Sequence, residues 1–529
     1  MSDATAVPDE LKDPGTPSEV QIRLQAPAPI TDPTLGTPIA RRAGADARHR
    51  LVTLGDSLTH GFQSFAIFNT DLSYPAIIAS ELGWYDSFRH PEYRRFGGLP
   101  LNLEYIAREL DARYGARINW WELGSALFYL HHALDEICEY WEEGRGSRLP
   151  QTAGIMHNLA VSGYDVRDVM ARTAATERER MKAITAGRLH LVARDAGPLM
   201  GLYVLESARN RDGEPLTPVE AAAALGDDGG IETLTVFIGA NNALRAVTDL
   251  DVKWSGPGYD TLDGKAGYTV WRPTHFISEL ELLVEKVKRV NAQHVIWATV
   301  PHVTIVPIAH GVGGKMRPGS RYFPYYTHPW IPEDKFDPTV DPYVTGNQAR
   351  AIDSAIDQYN QAIVDQVRAA REAGLDWLLL DTCGLMDRLA SRRYILDEAA
   401  RPSWWTPFEL PPALKALDPV PDSLFFAAGL QGRTAGGLFT LDGVHPTTIA
   451  YGLMAQSFMD VLAGAGVVFY GRDGRPRPAP VKVDFAALIA RDTLISDPPT
   501  CITPDLKLLG WANTALDWVK RMGQIFSSA

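Results

Sequence analysis

The sequence predicts an α/β protein built on a doubly wound, mainly parallel sheet of five strands. Three observations carry this reading. Short runs that are apolar on both faces recur along the chain, helical patterns lie between them, and the runs end on Gly, Asp, Ser or Asn. Strands apolar on both faces belong to sheets covered by helices on two sides. Their alternation with helices makes the sheet parallel. In that architecture chemistry collects at the carboxyl ends of the strands.

The elements follow in chain order. Arg50 to Leu54 is a β-rich run that ends at Gly55-Asp56-Ser57. Ile155 to Val161 is the second run and ends near Gly163. Leu234 to Ile238 leads into Gly239-Ala240-Asn241-Asn242, Val295 to Val300 ends at Pro301, and Trp377 to Leu380 ends at Asp381. Helical spacing is clearest over Ile277 to Val290, Gln348 to Ala373 and Thr447 to Leu462. Residues 1–47, rich in proline and small polar residues, read as a flexible arm. The main domain is expected over 48–470. Three insertions interrupt it, at about 83–150, 310–346 and 385–440, all rich in aromatic residues or proline. Long aromatic insertions after strand ends suit lids and binding walls, or a satellite core. Residues 471–529 form a tail. Its stretch 506–526 has amphipathic helical spacing and suits docking, self-association or peripheral membrane contact.

Composition narrows the function classes. The chain has 529 residues, with 51 Lys+Arg against 64 Asp+Glu, a formal net charge of −13. An acidic balance argues against a general nucleic-acid binder. Three cysteines, Cys138, Cys383 and Cys501, lie far apart and exclude a disulfide scaffold or the usual zinc-finger spacings. The N-terminus lacks the basic and apolar regions of a secretory signal, and no apolar run approaches the roughly 20 residues of a membrane span. The expectation is therefore a cytoplasmic protein with no transmembrane segment, with non-Sec export left open. His131-His132 with Asp135-Glu136 has metal-ligand spacing on a helix, but a partly exposed helix face accounts for it better.

The run Leu54-Gly55-Asp56-Ser57-Leu58-Thr59-His60-Gly61-Phe62 places a serine between a strand end and a helix start. There its N–H points into the site and the helix dipole favours the negative charge formed when a serine attacks a carbonyl. A serine at this place is also a good N-cap, so the tripeptide alone decides little. Three further blocks follow in order: Asn158-Leu159-Ala160-Val161-Ser162-Gly163, Gly239-Ala240-Asn241-Asn242, and Asp442-Gly443-Val444-His445-Pro446. With Gly55-Asp56-Ser57-Leu58 they make the sequence resemble the GDSL/SGNH hydrolase superfamily, over roughly 49–310 and 346–465.

That resemblance implies a flavodoxin-like SGNH fold and a serine nucleophile at Ser57. It implies His445 as general base and acid, oriented by Asp442. It implies an oxyanion hole made by the N–H groups of Ser57 and Gly163 and the amide of Asn241. The chain departs from the family in one place: Asn242 stands where the family commonly has Asp, which bears on the geometry of that loop. The expected activity is a serine esterase acting through an acyl-enzyme on hydrophobic acyl esters, of lipase, phospholipase or carboxylesterase type. A carbohydrate deacetylase, an acyltransferase and a non-catalytic scaffold are the alternatives. No cofactor and no metal are expected; the expected partner is a small-molecule or lipid ester.

Overall fold

The computed structural model describes residues 7–39, 47–115, 118–119, 121–150, 152–185, 192–471 and 473–500. The protein is mixed α/β, with a parallel four-stranded sheet flanked by helices. Its strands are β1 (His49–Gly55), β2 (Ile231–Phe237), β3 (Ala292–Ala298) and β4 (Trp377–Leu380), side by side in that order. Consecutive residues of β1 and β2 are buried, so both faces of the sheet are covered.

The covering helices that matter for the site are α1 (Ser57–His60), α2 (Tyr74–Glu81), α3 (Pro218–Asp227), α4 (Pro273–Val287), α5 (Gly346–Glu372) and α6 (Thr448–Ala465). Their ends are written in the sequence. Thr217 with Glu220 and Thr345 with Gln348 close capping boxes at the starts of α3 and α5. Gly466, with φ of 91°, ends α6 in the left-handed region. Helix α2 packs on β1 and on α6, while α3 packs on β1 and α5 on β4.

The fifth expected strand is a correction. Residues 155–161 run beside β1 but form only an isolated parallel bridge, between Thr53 and Asn158. Thr53 N–H donates to His157 O, and Leu159 N–H returns to Thr53 O. Val161 N–H still donates to Gly55 O at 3.3 Å, while the Asn158 Oδ1 accepts from Ala160 N–H at 3.2 Å and from the Thr53 hydroxyl at 2.9 Å. Local side-chain bonds of this kind compete with strand pairing.

The arm also differs from expectation. Residues 7–39 are extended but pinned to the domain, with Leu11, Val20 and Ala26 buried. Leu379 N–H donates to Pro33 O at 2.9 Å, so the arm satisfies part of the outer edge of β4. Arg350 and Arg371 hold the arm carbonyls of Leu11 and Thr37. Composition shows that the segment has no core of its own; it does not show that the domain offers partners for its carbonyls.

In the first insertion most aromatic rings are spent on packing. Tyr93 stacks on Tyr203 at 4.7 Å, and Trp141 Nε1 donates to Gly98 O at 3.1 Å. The helix Leu123–Glu142 carries His131 and His132 on its exposed surface, 3.0 Å from Asp135 and 3.8 Å from Glu136. The second insertion forms a small antiparallel sheet from His310–Val312, Tyr325–Thr327 and Val344–Thr345. The third contributes the hairpin Ala427–Gly429 and Gly432–Ala435. No helix among the described residues is long and apolar enough to cross a membrane. The stretch 506–526 lies outside the described residues.

The docked arm has a measurable consequence. Leu11→Ala should lower the unfolding free energy by about 2 kcal/mol, the low end for burying and then deleting a leucine side chain, because an arm can relax. A urea midpoint identical to wild type would mean that the arm is not docked in solution.

Candidate active site

The turn after β1 sets the serine in place. A Cβ on Gly55 would stand 2.2 Å from the Thr59 hydroxyl and 2.8 Å from Phe237 O, so only glycine lets α1 begin against the end of β2. Asp56 caps α1, its Oδ1 accepting from Leu58 N–H at 3.0 Å. Ser57 is the first residue of that helix. Neither its N–H nor that of Gly163 donates to a protein acceptor among the described residues.

From the other end of the chain comes the loop before α6. His445 Nε2 lies 2.9 Å from Ser57 Oγ, and His445 Nδ1 lies 2.9 Å from Asp442 Oδ2. All three side chains are buried. The Asp442 carboxylate also accepts from the N–H groups of Phe65 (2.8 Å), Val444 (2.8 Å) and His445 (2.9 Å), and the Thr440 hydroxyl is 3.1 Å away. Burial opposes its charge, but the His445 imidazole and these donors outweigh burial and hold its pKa below the ordinary aspartate value. With Nδ1 facing a carboxylate, the tautomer that this geometry favours carries its proton on Nδ1 and turns Nε2, as an acceptor, toward the serine. The Phe62 ring packs against the imidazole with centroids 4.4 Å apart.

A loop held beside the serine carries Gly163. Val161 N–H donates to Gly55 O, and Ser162 N–H donates to His60 Nδ1 at 3.1 Å. Burial holds the His60 pKa down at about 3, so the ring is neutral; its Nε2 lies 3.1 Å from the Tyr93 hydroxyl. Gly163 has φ of 80°, a conformation that turns the chain and that side chains resist. Asn241, just past β2, donates through Nδ2 to Tyr164 O at 2.9 Å, which uses one of its two amide protons. Asn242 is fully buried and its Oδ1 accepts from Val166 N–H at 3.3 Å, while its Nδ2 has no partner. The amide thus supplies the acceptor that an aspartate would, at the cost of one unsatisfied donor.

Every residue expected at the site is therefore placed. Ser57, His445 and Asp442 are joined directly, and Gly163 and Asn241 are joined through Tyr164 and tied to the serine turn. The supporting residues His60, Ser64, Phe65 and Thr440 had no role in the sequence reading. His60 lies within the nucleophile block itself, three residues after the serine. Ser64 and Phe65 carry no local signal, because their N–H groups donate to the Thr440 hydroxyl and the Asp442 carboxylate, 376 and 377 positions away.

One cluster among the described residues has metal-ligand chemistry: His302, Cys383 and Asp387, all buried. His302 is 3.0 Å from Asp357 and 3.1 Å from Asp387, one on each ring nitrogen. Burial disfavours its charge, yet Cys383 and then Asp387, Asp353 and Asp357 push its pKa well above the usual histidine value. Burial pushes the Cys383 thiol up to about 12. A protonated imidazole and a protonated thiol are poor ligands, so the group fits an internal ion network better than a metal.

The chain matches no protein-family model, and no curated protein matches its sequence.

Two acids of the site oppose each other in their effect on stability. Asp442 has a lowered folded pKa, so its contribution is present above its unfolded value near 4 and is lost as pH falls below it. Asp56 is raised to about 7 by burial. The fold keeps its proton where the unfolded chain has released it, so stability falls as pH rises from about 4 to about 7, by at most on the order of 4 kcal/mol. Asp56→Asn keeps an N-cap acceptor and removes this titration. It should flatten the decline of melting temperature between pH 4 and 7 and melt no lower than wild type at pH 8. A steeper decline in the variant would contradict the raised pKa.

Proposed function

We propose that the protein is a serine ester hydrolase of the SGNH type that works through an acyl-enzyme on Ser57. The observation that carries this reading is the unbroken line of hydrogen bonds from Asp442 through His445 to the Ser57 hydroxyl, each step at 2.9 Å. In this mechanism His445 Nε2 takes the Ser57 proton as Oγ bonds to the ester carbonyl carbon. Asp442 stabilises the imidazolium without taking its proton. The imidazolium then protonates the departing alcohol as the ester C–O bond breaks. Water repeats the sequence on the acyl-enzyme, leaving the acid and free enzyme. The unpartnered N–H groups of Ser57 and Gly163 and the second amide proton of Asn241 are suited to receive the carbonyl oxygen as it becomes charged.

Two finer points belong to the same reading. Residues 155–161 take the place of the fifth strand on the free edge of β1, giving the strand order of a flavodoxin-like sheet. A hydrophobic acyl group is favoured by the site's surroundings. Phe62 borders His445, and Phe425 of the third insertion packs beside Gly443 of the catalytic loop. No carboxylate other than Asp442 and the N-cap Asp56 lies within the serine turn and the histidine loop, and a neutral ester needs no counter-ion there.

A fluorophosphonate probe tests the assignment directly. Wild type should label, and Ser57→Ala and His445→Ala should not. Asn241→Ala should fold normally and lose about 10²- to 10³-fold in kcat on a p-nitrophenyl ester. Persistent labelling of Ser57→Ala, or a wild type inert to the probe and to esters of every chain length, would refute the proposal.

A further inference from the structure

The segment that follows Gly163 is held by an ion cluster that takes no part in the proposed chemistry. Lys265 is only 7% exposed, and a lysine is seldom buried unless it is paired. Its Nζ lies 2.6 Å from Asp165 Oδ2 and 2.6 Å from Asp168 Oδ2. The two carboxylates organise the backbone between them. Asp165 Oδ1 accepts from the N–H groups of Arg167 (2.9 Å) and Asp168 (3.1 Å), and Asp168 Oδ2 accepts from Asp165 N–H (3.0 Å). Asp168 is also paired with Arg172, which faces Glu177, and Glu177 accepts from the Tyr164 hydroxyl at 2.8 Å. Among the described residues Lys265 is the one cation within ion-pair distance of Asp165. Burial and the Asp168 carboxylate push the Asp165 pKa up, and Lys265 opposes both.

Lys265 stands on a different part of the chain from the acids it holds, in the short helical turn Gly264–Gly267. Arg245, in the short helix just after Asn241 and Asn242, donates to Ala266 O at 2.8 Å and to Tyr268 O at 3.2 Å. The turn is therefore fixed to the segment that carries Asn241. The Gly163 segment meets that unit through Tyr164 O with Asn241, through Val166 N–H with Asn242, and through Asp165 and Asp168 with Lys265. The first two are neutral hydrogen bonds, at 2.9 and 3.3 Å. The third is ionic and doubled, the stronger kind. Gly163, at φ of 80°, has no side chain to pack, so the direction of its N–H depends on how the residues on either side are held.

We infer that Lys265 is a positioning residue for the oxyanion donors: its ammonium clamps the Asp165–Asp168 segment to the Asn241 segment and so fixes the Gly163 N–H relative to the Asn241 amide. The inference rests on the proposed esterase reading. A neutral ester in the ground state asks little of that spacing, whereas the charged oxygen of the transition state asks much. The clamp therefore acts on kcat rather than on KM.

The test follows hydrolysis of a p-nitrophenyl ester, fluorophosphonate labelling and melting temperature on the full chain. Lys265→Met should lower kcat about 10- to 100-fold, with KM within about threefold of wild type. It leaves Asp165 buried without a counter-ion, so it should also melt lower. Adding Asp165→Asn removes the stranded charge and keeps an acceptor for the N–H groups of Arg167 and Asp168. The double variant should regain the melting temperature but not the kcat, because the clamp is still missing. A role in folding alone would return both together. If Lys265→Met does not fold, the double variant decides. The inference is overturned by a wild-type kcat in folded Lys265→Met, by a loss carried by KM alone, or by a double variant that regains kcat or does not fold. A wild type that neither labels nor cleaves esters refutes the esterase reading and the clamp with it. A wild type that does both, beside a Lys265→Met of equal kcat, refutes the clamp alone.

Discussion

A carboxylate with both oxygens buried must find a donor for each lone pair, and the Asp442 carboxylate does so with three backbone N–H groups, a hydroxyl and an imidazole. Much of the site's architecture follows from that demand. Two donors come from its own loop, at Val444 and His445. The third comes from Phe65, far away in sequence. To deliver it, Ser64 and Phe65 both adopt left-handed backbone, with φ of 47° and 66°, which side chains resist. The short strand Phe62–Gln63 leads into that turn, and Ala66–Ile67 leads out and pairs with Leu99–Pro100. The first insertion is thus anchored to the part of the chain that satisfies the aspartate.

Neutral and charged groups both hold the Gly163 loop; just after it, Asp165 and Asp168 are buried against Lys265, at 2.6 Å each. His60 is kept uncharged by burial, and Asn158 links β1, α1 and the loop through its amide, with Nδ2 donating to Thr59 O at 2.9 Å. Asn241 and Asn242 do the same on the far side. A reaction that builds negative charge on an oxygen is helped by donors that carry no charge of their own to be solvated or repelled.

The interior holds a second polar network, around His302, Asp353, Asp357, Asp387 and Arg393, packed beneath the second and third insertions. His302 bridges Asp357 and Asp387, Arg393 bridges Asp353 and Asp387, and the nearby Arg321 adds a third positive charge against the three acids. Arg321 stands out because it has the burial of this network without its hydrogen bonds. The loop from His302 to Val312 joins the two regions, passing from the ion network to the carbonyl of Gly443. The protein therefore places two differently built polar sites on either side of one loop.

Most of the sheet was legible in the sequence because strand and helix periodicities are local properties of a dozen residues. β4 matches the predicted run residue for residue, and the capped starts of α3 and α5 are visible as Thr-x-x-Glu and Thr-x-x-Gln. The site residues were legible because each sits in a short block at a strand or helix end. What the sequence could not show depended on distant partners. Residues 155–161 have strand composition, yet they meet β1 only through the bridge of Thr53 with Asn158 and the bond from Val161 N–H to Gly55 O. The proline-rich arm looks free until Arg350, Arg371 and the edge of β4 supply its partners. Aromatic rings in the first insertion suggested a binding wall, but stacking of Tyr93, Trp141 and Tyr203 consumes them. The sequence by itself determined which residues have the chemistry and which segments are strands and helices. Only the tertiary structure decided that Ser57 and His445, 388 positions apart, meet at 2.9 Å, and that the Asn242 Nδ2 is left without a hydrogen bond. Both outcomes are set by which groups remain unsatisfied once the whole chain has packed, and no local stretch of sequence carries that information.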